Sequence, residues 1–330
     1  MKYRHYGNTG LEISEIVFGA GAVGGIVIDA DDETRRTAIR RALDGGINWI
    51  DTAASYGQGR SEEALAWLLK EIPDDEQPYL STKFNVDAEA GDIPGQIERS
   101  MHESLGRLDR DSVDVFQLHT RVSEERGWFQ GSIAVDDVLG SDGVADGLQR
   151  LVDQGLTRFT GFTATGESSA IHKIIESERF NSAQIYYNVL NPSAGRSVPP
   201  EWSTYDFDNI IDACAAHGVA VMNIRVLAAG VIATDVRHGR EIPVAPGTEV
   251  GQDEASMRKI VEALGDSQGT RAQLAVRYAL SNPNVSGVLV GMAELDHLDQ
   301  ALGAQELGPL SSDVLEAVHA LVDTDFGRLS

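Results

Sequence analysis

What most constrains this chain is a rhythm that never breaks. From Ile16 onward, short apolar runs alternate with amphipathic helical patterns, with no linker-like interruption. A strand followed by a crossover helix, repeated around a parallel sheet, is the unit that writes such a pattern. The runs "EIVF", "INWID", "PYLSTK", "VDVFQLH", "TRFTGFT", "AQIYYN", "VAVMNIRV" and "VSGVLVG" predict eight strands. Helical periodicity predicts helices over 33–43, 62–70, 95–105, 145–154, 167–176, 208–217, 271–280 and 295–302. Eight strands, each followed by a helix, favour a closed (β/α)8 TIM-type barrel over an open doubly wound sheet. The 330 residues are then read as a single barrel domain, 1–330. Two segments fall outside the count: "KYRHYGNTGLEIS" predicts a β-hairpin capping the barrel's N-terminal end, and "SSDVLEAVHALVDTD" predicts a C-terminal helix.

One motif argues for a different fold. In "EIVFGAGAVGG", Gly19, Gly21 and Gly24 fit the G-x-G-x-x-G that cradles a pyrophosphate in Rossmann domains. That fingerprint needs a helix running straight out of the glycines. Here "IVIDADD" intervenes and the next helix carries its own cap at Asp32, so the glycines are expected to form a loop at a strand end.

The charge balance narrows the partners. Lys and Arg total 27 against 51 Asp and Glu, a net charge of −24, and so acidic a surface repels phosphate backbones and anionic lipids. No nucleic-acid or membrane partner is expected. No segment reaches the roughly 18 apolar residues of a membrane span, and "MKYRHYGNTG" lacks the apolar core of a signal peptide. The lone cysteine, Cys214, leaves no internal disulfide and reads as a buried structural thiol, which together with the missing leader suggests a cytoplasmic protein. No metal site is expected, because the eight histidines are scattered without ligand spacing.

In a barrel, chemistry gathers where strands end and βα connections are long. Two connections stand out, 121–143 after the fourth strand and 226–254 after the seventh. Four ionisable residues are predicted at the mouth: Asp51 at the end of the second strand, Tyr56 five residues on, Lys83 at the end of the third strand and His119 at the end of the fourth. Singly, each has a plain structural reading as a cap, a packing residue, a surface lysine or a hydrogen-bonded histidine. Together they are harder to dismiss, because a buried lysine needs an anionic partner and Asp51 is placed to be one.

The stretches "YRHYGNTGLEIS", "GINWIDTAASYGQGRSEEALAWLL", "LSTKF" and "SLGRLDRDSVDVFQLH" closely resemble the aldo-keto reductase family, in order and spacing, over residues 3 to about 302. The resemblance implies a barrel that binds NADP or NAD without a Rossmann domain and passes hydride between the nicotinamide and a carbonyl carbon. It implies Asp51, Tyr56, Lys83 and His119 as catalytic residues. Tyr56 exchanges the proton, Lys83 favours its phenolate, Asp51 holds Lys83, and His119 donates a hydrogen bond to the carbonyl oxygen.

The same resemblance implies a cofactor-binding set. Gly21 lies beside the nicotinamide. Thr163 keeps a hydroxyl where the family has Ser-Asn, although Ala164 cannot supply the amide, and Gln184 matches a carboxamide ligand. In "NIRVLAAG", Arg225 is a candidate pyrophosphate or ribose contact, and Leu227 is counted with it. At the adenosine end, "VLVGMAELDHLDQAL" contributes Gly291, Glu294 and His297. Ala293 and Glu294 suit a ribose hydroxyl better than a 2′-phosphate, Arg237 and Arg240 could clamp the cofactor, and the family default is NADP, so both cofactors stay open. Val23, Phe84, His119, Trp128 and Phe129 are expected to line the substrate site for a small carbonyl compound or sugar. Aldehyde or ketone reduction is the leading expectation. Aldose oxidation, a nucleotide-sensing subunit resembling potassium-channel β subunits, and a Schiff-base enzyme built on Lys83 are the alternatives.

Overall fold

The structure, a computed structural model, describes residues 1–21, 23–237, 239, 241 and 247–329. Eight parallel strands close a barrel in strictly sequential order: β1 Ile16–Gly19, β2 Trp49–Asp51, β3 Tyr79–Phe84, β4 Val113–Leu118, β5 Thr157–Ala164, β6 Ser182–Tyr186, β7 Ala220–Ile224 and β8 Gly287–Gly291. β8 pairs back onto β1 through Val288 with Ile16 and Gly291 with Gly19, which closes the ring. The outer helices are α1 Asp32–Asp44, α2 Arg60–Lys70, α3 Ile93–Leu108, α4 Val144–Asp153, α5 Ser168–Glu176, α6 Ile210–Ala216, α7 Arg271–Leu280 and α8 Leu295–Leu307. Each turns its apolar stripe to the sheet. Leu65, Leu68 and Leu69 of α2 and Ile171, Ile174 and Ile175 of α5 are buried in one continuous core.

The barrel's N-terminal end is plugged. Tyr3–His5 pairs antiparallel with Glu12–Ser14, as expected, and the turn sets Tyr6 against the Trp49 ring at 4.7 Å. Tyr6, Leu11, Ile13, Val17 and Trp49 form a second apolar cluster beneath the barrel floor. With that end sealed, only the opposite rim is left for chemistry. The C-terminal helix is present as Ser312–Val322.

Three differences from the sequence expectations have physical causes. A single helical turn, Ile26–Asp29, follows the glycine stretch where a plain loop was expected, but it stops after four residues and α1 begins afresh, capped by Asp31 rather than by the expected Asp32. A helix at Val250–Leu264, outside the expected set, takes in the end of the 226–254 connection and buries Met257 and Ile260. A third long connection, 187–209, joins β6 to α6. It is organised by asparagines: Asn188 Oδ1 accepts from the amides of Leu190 and Asn191, and Asn191 Nδ2 donates to Tyr205 O at 2.8 Å.

Candidate active site

The second, third and fourth strands bring a polar cluster to the barrel axis. Register places Asp51 beside Ser81 and Lys83 beside Gln117. Both ends of the central ion pair are buried, with Lys83 Nζ 2.5 Å from Asp51 Oδ2. Asp51 Oδ1 accepts from Ser81 Oγ at 2.7 Å, Gln184 Nε2 at 2.7 Å and Gln117 Nε2 at 3.2 Å. A buried carboxylate is tolerated only when its lone pairs are filled, and here each oxygen has a donor. Burial works against the Lys83 charge, but the Asp51 carboxylate and the Tyr56 oxygen outweigh it and hold the ammonium above the usual lysine range. Lys83 therefore remains a cation.

That cation also reaches Tyr56. Lys83 Nζ also donates to Thr52 O at 2.7 Å and to Tyr56 Oη at 3.1 Å, so the ammonium bridges carboxylate and phenol. Tyr56 stands in the turn between β2 and α2, where Gly57 and Gly59 at φ 60° and 92° let the chain double back. Its ring meets His119 edge-on, with centroids 5.9 Å apart. His119 continues β4 by donating its amide to Phe84 O. Burial, with the Lys83 charge second, pushes its imidazole down to about 3, so it is neutral at working pH and keeps one N–H to give. The four residues expected at the mouth are thus assembled in one cluster.

The supporting residues were not anticipated, although one signal could have found them. Side chains two apart on a strand share a face. Trp49, Ser81 and Gln117 each lie two residues before Asp51, Lys83 and His119, and they form the layer underneath. Trp49 Nε1 donates to Ser81 Oγ, which donates to Asp51.

The expected cofactor residues surround this cluster unevenly. Gly21 faces the Tyr56 ring, where an added Cβ would sit 3.5 Å away. Gly24 has a structural reason to be glycine, since a Cβ there would come within 2.3 Å of the Met292 amide beyond β8. Close approach of this turn to the backbone just past β8 is enough to explain the third glycine of the motif. Thr163 and Gln184 are cross-strand neighbours. The Thr163 hydroxyl is buried without a partner, while Gln184 turns its nitrogen to Asp51. Arg225 follows β7 at φ 61°, its carbonyl accepting from Asn188 Nδ2 at 3.0 Å. Leu227 packs partly buried against the core. Gly291, Glu294 and His297 mark the junction of β8 with α8, where His297 Nδ1 accepts from the Ala293 amide. Arg237 is ion-paired with Glu254 at 2.7 Å; Arg240 lies outside the described residues.

Of the expected substrate-lining residues, Val23 and Trp128 are exposed. Phe129 is half-buried and its ring lies 4.6 Å from Trp128. Phe84 needs correction: it is wholly buried and stacked on Phe116 at 4.6 Å, so it belongs to the core and offers no surface to a substrate. Its position next to Lys83 sends it to the opposite face of β3. Tyr205, from the third long connection, was missed and touches Trp128 at 5.9 Å. Among the described residues no cluster of metal-ligating side chains occurs and no helix is long and apolar enough to cross a membrane.

A sealed parallel barrel with a buried lysine–carboxylate pair and a tyrosine at its open rim is the architecture of a barrel enzyme. The sequence profile of the Aldo/keto reductase family matches residues 15–323, and the chain belongs to that family of oxidoreductases. It is 27% identical to L-galactose dehydrogenase of Arabidopsis thaliana, covering 98% of this chain and 95% of that protein. It is 22% identical to a probable voltage-gated potassium channel subunit beta of Oryza sativa subsp. japonica, covering 98% and 97%. Among solved structures, the holo form of aldo-keto reductase AKR11C1 from Bacillus halodurans shares the fold with a TM-score of 0.74 at 23% identity, over 98% of this chain and 96% of that one.

Proposed function

We propose that this protein is an NAD(P)-dependent oxidoreductase acting on a small carbonyl compound or the corresponding alcohol, with Tyr56 as its general acid and base. The observation that carries the reading is the Lys83 ammonium held 3.1 Å from the Tyr56 oxygen by a buried carboxylate. A phenol is a weak acid at neutral pH, and an adjacent fixed cation stabilises the phenolate left when the proton departs. In reduction, Tyr56 gives its proton to the carbonyl oxygen while neutral His119 steadies that oxygen with its N–H. In oxidation, the Tyr56 phenolate takes the hydroxyl proton. Asp51 acts through Lys83, keeping it charged and in place.

The residues present fit a nicotinamide dinucleotide. The orphaned, buried Thr163 hydroxyl beside the Gln184 amide is a polar pair suited to a carboxamide, and satisfying it offsets a cost the protein otherwise bears. Gly21 leaves the adjoining space open, Arg225 and Leu227 would hold the diphosphate and ribose, and Gly291, Glu294 and His297 would hold the adenosine end. When bound, the nicotinamide supplies or accepts the hydride. The likeness to a plant L-galactose dehydrogenase favours sugar oxidation as the second reading; the intact Asp51, Tyr56, Lys83 and His119 set opposes a purely sensing role.

Fluorescence titration with NADPH and, separately, NADH tests the proposal. Micromolar binding of either supports it and selects the cofactor; binding of neither withdraws it.

A further inference from the structure

Arg121 stands two residues beyond His119, at the mouth end of β4 and at the start of the connection that carries Trp128 and Phe129. Its guanidinium carbon lies 4.5 Å over the Phe129 ring, and Phe129, Trp128 and Tyr205 follow one another in edge contacts of 4.6 and 5.9 Å. A guanidinium over an aromatic face spends no N–H on that contact, which leaves its donors for an oxyanion. Among the described residues nothing occupies that edge: no carboxylate or carbonyl accepts from Arg121.

In this chain that is conspicuous. With 51 acids to 27 bases, even well-exposed arginines find carboxylates, as Arg36, Arg40 and Arg150 do. The acids nearest in sequence do not serve Arg121. Glu124 is bound to Lys173 at 2.6 Å, and on the same connection Asp137 is taken by Arg126. A second guanidinium is close enough to be felt: burial first, and the Arg121 charge with it, lowers the Arg225 pKa. Arg121 and Arg225 thus bring two guanidinium groups to the same end of the barrel.

We propose that Arg121, on its Phe129–Trp128 shelf, receives a carboxylate or phosphate on the substrate, so that the preferred substrate is a carbonyl compound or alcohol bearing a negative charge away from the reacting carbon. The proposal rests on the oxidoreductase reading for the site beside it. Arg121 selects the substrate and takes no part in proton transfer.

Paired substrates that differ only in charge provide the test: succinic semialdehyde against butanal, and glyceraldehyde 3-phosphate against glyceraldehyde. The wild type is expected to show an anionic-to-neutral ratio of kcat/KM above about 10 for at least one pair, and the larger ratio tells carboxylate from phosphate. Arg121→Gln is expected to lower that ratio on the order of 10- to 100-fold, the range of a charge-assisted hydrogen-bonded contact, and Arg121→Lys, which keeps charge without the fork, to restore part of it. A wild-type ratio near one for both pairs, or a ratio unmoved in both variants, overturns the proposal. Calorimetric titration with succinate and with inorganic phosphate decides the matter without turnover. Binding of either anion that weakens at least tenfold in Arg121→Gln supports the anion site even where no substrate is turned over and the oxidoreductase reading falls. Binding of neither by the wild type, or equal binding by both proteins, refutes it.

Discussion

Replacing Asp51 by asparagine should destabilise the barrel and disable the site together, and the size of the effect follows from the contacts. The substitution preserves shape and removes one charge. The oxygen that accepts from Ser81, Gln184 and Gln117 can be kept as the amide oxygen, but the other position, now an NH2, then faces the Lys83 ammonium donor to donor. Lys83 is left buried with only the neutral Thr52 carbonyl and Tyr56 hydroxyl. Removing one member of a buried pair costs about 3–5 kcal/mol, because the survivor's charge is uncompensated. Lys83→Met strands the carboxylate instead and should cost about as much. The double variant buries no charge at all, so its loss should fall short of the sum of the singles by about 2 kcal/mol or more. Urea unfolding of the four proteins measures each quantity. Single losses below about 1 kcal/mol, or strict additivity, would refute the claim that the two charges depend on each other. Turnover by either single variant should drop about 10²–10⁴-fold, since the cation beside the phenol is discharged or gone.

Two further predictions concern titration. His119, pushed down to about 3 by burial and by Lys83, should show no NMR titration between pH 5 and 8; a midpoint between 6 and 7, assigned with His119→Asn, would mean that the ring is wetter than described. Asp253 is pushed up to about 6, chiefly by burial, with Arg328 opposing. A carboxyl held above its unfolded value lends stability at low pH and loses it as pH rises through about 6, so Asp253→Asn should gain on the wild type by about 2 kcal/mol more at pH 7.5 than at pH 4.5. A gain independent of pH would show that ionisation of Asp253 is not what costs the fold.

The sequence carried the barrel because strand and helix periods alternate cleanly, and β1 to β8 all fall on their expected runs. It carried the strand-end residues because a barrel turns linear order into a common rim. It did not carry the 187–209 connection, whose fold depends on side-chain-to-backbone bonds of Asn188 and Asn191 that leave no periodic trace. Nor did it carry Phe84: its place next to Lys83 points to the mouth, and the alternation of β3 sends it to the core. The same alternation, applied backwards from Asp51, Lys83 and His119, would have yielded Trp49, Ser81 and Gln117. The glycine motif misleads for a related reason, since close packing of Gly24 on Met292 selects the same residue as close approach of a phosphate.

In the proposed function Tyr56 moves the proton while the rest of the site holds and orients, and Tyr56→Phe isolates that role because the ring is kept and only the hydroxyl is lost. With cofactor affinity measured alongside, NADPH or NADH binding should be unchanged and kcat reduced about 10²–10⁴-fold. A variant that binds cofactor equally and retains more than about a tenth of wild-type kcat would contradict it.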